Sequence, residues 1–408
     1  MSEHCVIVGT SHAAANLCAQ LRSGGWAGDI TVVGEEMHLP YHRPPLSKAF
    51  LSGDKNADDI LIRPQAFYEK NDVAFHLGQQ AVGIERDSRE LLLAGGDRLA
   101  YDRLALTTGA SVRRLRLPGA ELDGVFYLRD LTDASVIRSH VAQSRRAVVI
   151  GGGYIGLETA AALRGLGLDV TVLEAAPRIL QRGTTEEVSA FYTRVHREEG
   201  VEIVTDARVD ALVGESRVSA VHLGDGRAID CELVVIGVGV LPHTDLAESA
   251  GLEIGDGIVV DEYARTSDPN IVAAGDCTWH FNPLYERWLR LESVQNATDQ
   301  ARCAAATLNG RLQPYASLPW FWSDQFDLKL QIAGLSEGFD RLVLRGSSSE
   351  GRSFAAFYLR GDTLLAVDAV NRPRDYMATR KALARGPCAV NAAMLADEAA
   401  ELAGAFGD

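Results

Sequence analysis

Val148-Val149-Ile150-Gly151-Gly152-Gly153-Tyr154-Ile155-Gly156-Leu157-Glu158-Thr159-Ala160-Ala161-Ala162-Leu163 decides the fold. A short apolar run enters a complete G-x-G-x-x-G, and the chain leaves it with helical character. Val170-Thr171-Val172-Leu173 reads as the next strand, and Glu174 ends it. Strand, glycine turn, helix, strand and acid make a dinucleotide-binding unit. Gly151 forms the tight turn, Gly153 lets the backbone approach a pyrophosphate, and Gly156 lets helix and strand pack closely. The start of the helix offers N–H groups and a partial positive charge to the phosphates. Glu174 stands 23 residues after Gly151. A carboxylate there accepts hydrogen bonds from the adenosine ribose hydroxyls and repels a 2′-phosphate. The unit therefore favours NADH over NADPH, with Arg178 a small weight on the other side.

A second unit of the same kind opens the chain. Cys5-Val6-Ile7-Val8 is short and apolar enough for a buried parallel strand. Gly9-Thr10-Ser11-His12-Ala13-Ala14 follows, then a helix with Leu17 and Leu21 on one face. Ile30-Thr31-Val32-Val33 is the next strand, and Glu35 ends the unit. Ala14 is a tolerated third residue of the fingerprint. Ser11 is a departure, because it sets a Cβ where a diphosphate should come close; its hydroxyl can instead donate to phosphate. The plain alternative for either segment is an α/β unit with no ligand. Two such units in one chain point to two dinucleotides bound side by side, as in hydride transfer from a nicotinamide to a flavin.

Size and composition agree with this reading. The chain has 408 residues, a 47% hydrophobic fraction and a formal net charge of −15. The length suits two or three domains. The charge argues against nucleic acid, which needs a broad basic surface. No apolar run approaches the roughly 18 residues of a spanning helix. Met1-Ser2-Glu3-His4 leads straight into the first strand, so no signal peptide is expected and a soluble cytoplasmic protein is the natural reading. The six cysteines, at 5, 18, 231, 277, 303 and 388, form no close pair. Neither a metal site nor a redox dithiol is expected from them, and burial as small hydrophobes is.

The segments linking the two units carry a resemblance. They are Leu39-Pro40-Tyr41-His42-Arg43-Pro44-Pro45-Leu46-Ser47-Lys48, Leu106-Thr107-Thr108-Gly109-Ala110, Val235-Ile236-Gly237-Val238-Gly239-Val240-Leu241-Pro242, Thr266 to Asp276, Glu292 to Ala297, and Trp320-Phe321-Trp322-Ser323-Asp324-Gln325. Together they resemble the FAD-dependent NADH:ferredoxin reductases of bacterial oxygenase systems, over Cys5 to about Pro373. The Arg-Pro-Pro-Leu-Ser-Lys and Trp-Phe-Trp-Ser-Asp-Gln runs are the specific ones.

The resemblance implies an α/β, glutathione-reductase-like flavoprotein with two dinucleotide-binding domains. A FAD domain would combine residues 1–114 and 242–318. An NADH domain would span 115–241, and a strand-rich α+β interface domain 319–408. Phe326–Ile332, Ser353–Leu359 and Leu364–Val370 have strand character there. For FAD it implies Gly9, Ser11, Ala13, Ala14, Glu35, Arg43, Lys48, Ala81, Val82, Thr108, Gly109, Arg129, Asp276 and Val294. For NADH it implies Gly151, Gly153, Tyr154, Ile155, Gly156, Glu174, Gly237 and Gly239. Lys48 would lie near flavin N5 with Glu158 facing it, and Trp322 at the flavin edge. The implied acceptor is a two-iron (2Fe-2S) ferredoxin feeding a haem-thiolate monooxygenase or a Rieske oxygenase, with a slight lean to the former. Such ferredoxins are acidic, so a local basic patch is expected, with Arg63, Arg302 and, more weakly, Lys329 as candidates. Two alternatives share the fold. A flavin-dependent peroxide or disulfide reductase needs a cysteine near Lys48, and Glu35–Leu51 has none. An NADH-binding protein like the apoptosis-inducing flavoproteins would turn over slowly with every ferredoxin.

Overall fold

A computed structural model describes residues 3–406. The Met1-Ser2 start and the last two residues of the expected interface domain lie outside the described residues. The chain divides into two compact units, Met1–His42, Ile60–Ser111 and Leu241–Phe321 in one, Arg43–Asp59, Val112–Val240 and Trp322–Asp408 in the other.

The first unit is built on a five-stranded parallel sheet. Its order is Ile271–Ala273, Arg103–Leu106, His4–Val8, Asp29–Gly34, Val73–Leu77. These strands are near-continuous apolar runs because both faces are covered. One face carries the helices His12–Ser23 and Val294–Leu308, which meet through Ala13, Ala14, Leu17, Ala297, Ala301 and Ala304. Alanines at this contact let the two helices come close. The other face carries an antiparallel meander, Ala81–Glu85, Glu90–Leu93 and Arg98–Ala100, packed through Ile84, Leu91 and Leu93.

The second unit repeats the plan. Its parallel sheet runs Val201–Val204, Asp169–Leu173, Arg146–Ile150, Leu233–Ile236, Val125–Tyr127. The helices Tyr154–Gly165 and Glu186–Glu198 cover one face, and a meander of Val209–Gly214, Val218–Leu223 and Ala228–Asp230 the other. The repetition extends to single hydrogen bonds. Gly9 N donates to Val33 O at 2.7 Å, and Gly151 N to Leu173 O at 2.8 Å. Thr107 N donates to Val8 O and Gly237 N to Ile150 O, both at 2.8 Å.

An antiparallel sheet also belongs to the second unit. Leu328–Gly334, Thr363–Val370, Phe354–Arg360 and Arg341–Gly346 lie in that order. Leu330, Phe354, Tyr358 and Val370 share a core with Leu157, Phe191 and Tyr192. The three strands expected from sequence are present, with one correction. Phe326 does not open a strand: it sits in a tight turn at φ +54°. A bulky residue in that left-handed region is costly. Its ring packs edge-on against the buried His196, centroids 5.1 Å apart, which helps to hold the conformation. Five of the six cysteines are buried, as expected, and burial pushes the thiols of Cys18, Cys231 and Cys303 up to about 12. Among the described residues no helix is long and apolar enough to cross a membrane.

Candidate active site

The glycine turn of the second unit is shaped by close contacts. Gly151 has φ +114°, and a Cβ on it would come within 2.3 Å of Gly237 O. A Cβ on Gly156 would meet Gly151 O at 2.0 Å, so helix and strand touch there as the fingerprint demands. Gly153, by contrast, faces open space, and so does Gly239. The helix Tyr154–Gly165 starts at Gly153 with no side-chain cap and no acid in its first turn. Its first N–H groups therefore have no side-chain cap and no nearby acid, which suits a diphosphate. Ile155 is exposed beside them, while Tyr154 turns inward, its hydroxyl next to Gly183.

Glu174 has a task that the sequence did not reveal. Its Oε2 accepts from Gly152 N at 2.7 Å and its Oε1 from Ala176 N at 2.8 Å. The carboxylate thus ties the glycine loop to the end of its strand, with lone pairs left for ribose hydroxyls. Arg178 is turned to the carbonyls of Thr185 and Gln181, each at 3.2 Å.

The turn of the first unit matches in backbone and differs in side chain. Gly9 has φ +111°, and its missing Cβ leaves room for Thr107 O. Ser11 takes the place of Gly153 as N-cap, at φ −125°, ψ −155°. That is ordinary extended backbone, so the serine Cβ causes no strain. Its side chain makes no cap hydrogen bond to the helix. Gly275, at φ +93°, stands where a Cβ would lie 3.5 Å from Ala13 and 3.6 Å from Ala297. The structure thus gathers Ser11, Ala13 and Ala14, the Gly275-Asp276 turn, and the start of the Val294 helix. Neither helix has an acid in its first turn. Thr108 and Gly109 hold His243, through Thr108 Oγ1 to His243 O and His243 N to Gly109 O, both at 2.9 Å. Glu35 is exposed at the strand end; on the meander's first strand Val82 is exposed and Ala81 half-buried. A second nucleotide with a diphosphate fits this cradle.

Lys48 and Glu158 are 110 residues apart in sequence and touch in the fold. Lys48 Nζ lies 2.5 Å from Glu158 Oε2, with side chains 19% and 2% exposed. The turn Pro44–Ser47 delivers the lysine, and Arg43 beside it donates to Arg129 O at 2.9 Å. Glu158 also accepts from Ser47 Oγ and Ser323 Oγ, each at 2.6 Å. A carboxylate this buried needs the cation and hydrogen-bond donors that surround it here. Trp322 is half-buried on the same strand as Ser323.

A family model described as pyridine nucleotide-disulphide oxidoreductase matches residues 3–301, and one described as reductase C-terminal matches 320–406. The chain belongs to the pyridine nucleotide-disulphide oxidoreductase family. Membership makes it an oxidoreductase working with FAD and a nicotinamide dinucleotide. Putidaredoxin reductase of Pseudomonas putida is 42% identical, the match covering 98% of this chain and 96% of that protein. Rhodocoxin reductase of Rhodococcus erythropolis is 44% identical over 93% of this chain and 89% of its own length. Among solved structures, a chain of the covalent putidaredoxin reductase–putidaredoxin complex superposes with a TM-score of 0.95, at 42% identity, covering 98% of this chain and 97% of that one. The fold is the flavoprotein-reductase fold expected from the sequence. The family's name mentions a disulphide, yet this chain has no cysteine between Cys18 and Cys231.

The residues expected at a partner surface are dispersed in character. Arg63 is half-buried, its guanidinium 4.5 Å from the Phe67 ring centroid. Arg302 is 57% exposed and paired with Asp299 at 3.2 Å. Lys329 is exposed, its backbone joined to Asn371 by Lys329 N to Asn371 Oδ1 at 2.9 Å and Asn371 N to Lys329 O at 3.0 Å. That junction leads to a basic surface the sequence reading missed. The helix Pro373–Ala382 exposes Arg374, Met377 and Lys381, and Arg385 follows. Spacings of three and four put the first three on one face. The signal was present as a local charge count, hidden by the acidity of the whole chain.

Proposed function

We propose that the chain is the NADH-dependent reductase of a two-iron ferredoxin that serves a monooxygenase or Rieske-type oxygenase in the cytoplasm. FAD would be held by residues 1–114 and 242–318, the nicotinamide nucleotide by 115–241, and 319–408 would form the interface domain. The carrying observation is the buried Lys48–Glu158 pair, a lysine and not a thiol in the segment where a disulfide or peroxide reductase needs sulfur. Likeness to putidaredoxin reductase from end to end supports the same acceptor class.

FAD, when bound, would supply the chemistry of two-electron hydride acceptance and single-electron delivery, which suits a one-electron iron–sulfur partner. The chain's own residues do the rest. Gly151, Gly153 and Gly156 seat the nucleotide diphosphate on the N-terminus of the Tyr154–Gly165 helix, with Gly237 and Gly239 keeping the facing turn clear. Glu174 fixes the loop and receives the ribose. Gly9, Ser11, Ala13, Ala14, Asp276 and Val294 seat the flavin nucleotide, with Glu35, Ala81, Val82, Thr108, Gly109, Arg43 and Arg129 around it. Lys48 offers a fixed positive charge to the ring as negative charge develops, and Glu158 holds the lysine. Trp322 shields the flavin edge.

The test is NADH oxidation by the purified flavoprotein with and without 2Fe-2S ferredoxins. Ferredoxin reduction well above the oxygen background is expected. A protein that binds no FAD, or that reduces a disulfide or peroxide faster than every ferredoxin, would falsify the assignment.

Nucleotide preference is a separate expectation. NADH should be preferred, because Glu174 stands at the position expected to receive the ribose and Arg178 is engaged elsewhere. Glu174→Gln should weaken NADH by about tenfold, the size of one lost hydrogen bond to a charged group, with a smaller loss for NADPH. Equal kcat/KM for the two nucleotides in the native protein would contradict this.

A further inference from the structure

The Glu158 carboxylate stands at the end of a buried line of polar groups that reaches well beyond Lys48. Ser323 Oγ lies 2.6 Å from Glu158 Oε1, and Gln325 Nε2 lies 3.1 Å from Ser323 Oγ. Gln325 Oε1 lies 2.8 Å from His196 Nε2. Ser323, Gln325 and His196 are each no more than 1% exposed. They come from a strand, Trp320–Gln325, and from the helix Glu186–Glu198, which sequence keeps far from Glu158.

The chemistry of the groups sets the direction of this line. An ionised carboxylate only accepts, so Ser323 must spend its single proton on Glu158. The Ser323 oxygen is then an acceptor for the next group, and Gln325 presents its NH2 to it. The other end of that amide is a carbonyl, which needs a donor from His196 Nε2. His196 therefore carries its proton on Nε2. Burial pushes its imidazole down to about 4, so the ring is neutral and has only that one proton. Among the described residues Nδ1 has no hydrogen-bond partner, as befits a buried unprotonated nitrogen. The reverse direction would put the proton on Nδ1 and bury an N–H donor with nothing to receive it, a rarer and costlier state than a bare acceptor. It would also place a neutral acid against Lys48. Ser47 Oγ, at 2.6 Å from Oε2, adds a second hydroxyl donor from the other side.

We propose that Ser323, Gln325 and His196 are positioning residues for Lys48: a one-way donor line, His196 to Gln325 to Ser323 to Glu158, keeps the carboxylate ionised and aimed at the lysine. This rests on the reading of Lys48 as the charge beside the flavin. The direction of the line does not rest on it.

Two measurements test the two parts. The first is nitrogen NMR of protein labelled in its histidines, which reads the tautomer without turnover. His196 should be neutral with its proton on Nε2, and Gln325→Glu, almost isosteric, should leave that proton in place, because a carboxylate also accepts from Nε2. A carboxylate at 325 accepts from both neighbours, so Ser323 turns its proton away from Glu158. The second is stopped-flow reduction of the FAD-loaded protein by NADH. Gln325→Glu and Ser323→Ala should each slow reduction by about tenfold or more, the effect of one hydrogen bond to a charge. The dissociation constant of NADH should stay within about twofold, since no nucleotide-binding group is touched. Ser323→Thr, which keeps the hydroxyl, should restore most of the rate. FAD content and thermal unfolding identify any variant that fails to fold, and Ser323→Thr then carries the comparison with Gln325→Glu. A proton on Nδ1 in the native protein overturns the direction. Native reduction rates in folded Ser323→Ala and Gln325→Glu overturn the positioning role. If Lys48→Ala also reduces at the native rate, the failure lies in the lysine reading, and the tautomer result stands apart from it.

Discussion

Replacing Lys48 by alanine is expected to slow reduction of bound flavin by NADH on the order of 10²-fold, the usual effect of removing one fixed group that stabilises developing charge. The size follows from where the pair sits. Glu158 is 2% exposed and Lys48 19%, so water does little to weaken the field between them. Surface pairs are worth about 0–1 kcal/mol, and this one is not at the surface. Removing the lysine has a second consequence. Glu158 keeps two hydroxyl donors, Ser47 and Ser323, and loses the one cation it pairs with among the described residues. Breaking a buried pair costs about 3–5 kcal/mol when one charge is left uncompensated. The partial exposure of Lys48 places this case toward the lower end. The variant should thus unfold at lower denaturant concentration while still retaining FAD, whose proposed cradle in the first unit is untouched. Lys48→Ala/Glu158→Gln should recover stability, because no lone charge remains, and should not recover rate. That split separates the electrostatic role from simple packing. Added salt should change neither result much, since a buried pair is poorly screened. A folded Lys48→Ala protein that reduces its flavin at the native rate would return the pair to a structural role.

What sequence could tell depended on how local each feature is. The two glycine turns were readable because their geometry is written within a few residues. Gly151 and Gly9 both take a positive φ with a carbonyl pressed against the missing Cβ. Ser11 is a departure in side chain and not in backbone, because the cap position it fills takes only extended backbone. The Lys48–Glu158 contact spans 110 residues, and no periodicity connects its halves. Only family resemblance brought the two together before the structure did. The Ser323–Gln325–His196 line was beyond reach for a different reason. Serine, glutamine and histidine acquire meaning there from which atom donates, and that depends on three-dimensional neighbours. Phe326 was read as strand because an aromatic between polar residues gives no turn signal. The structure forces it into a left-handed turn, and packing against His196 outweighs propensity.

Reversing the charges of Arg374 and Lys381 together should raise the apparent KM for an acidic 2Fe-2S ferredoxin by tenfold or more at low salt, on the order of the rate gain that electrostatic steering supplies. Both side chains are exposed on one face of the helix Pro373–Ala382, with Met377, 58% exposed, between them. Among the described residues neither forms an ion pair. An apolar centre flanked by unpaired cations is the composition of a docking patch. The rest of the chain argues for needing one. At −15 the protein repels an acidic partner unless positive charge is gathered somewhere. Arg302 is a lesser contributor by the same reasoning, because Asp299 at 3.2 Å already offsets its charge. Arg302→Glu alone should therefore have the smaller effect. Arg63 is smaller still as a steering charge, being half-buried against Phe67. Lys329 should act with the helix, since its backbone is tied to Asn371 just before it. Steering reaches only about 8 Å at physiological ionic strength, so the difference between native and reversed proteins should shrink steadily as salt rises. Reduction of the flavin by NADH should be unchanged throughout, because none of these groups belongs to a nucleotide site. If ferredoxin reduction is insensitive both to the double reversal and to salt, docking is apolar and Met377, with Trp322, becomes the residue to remove.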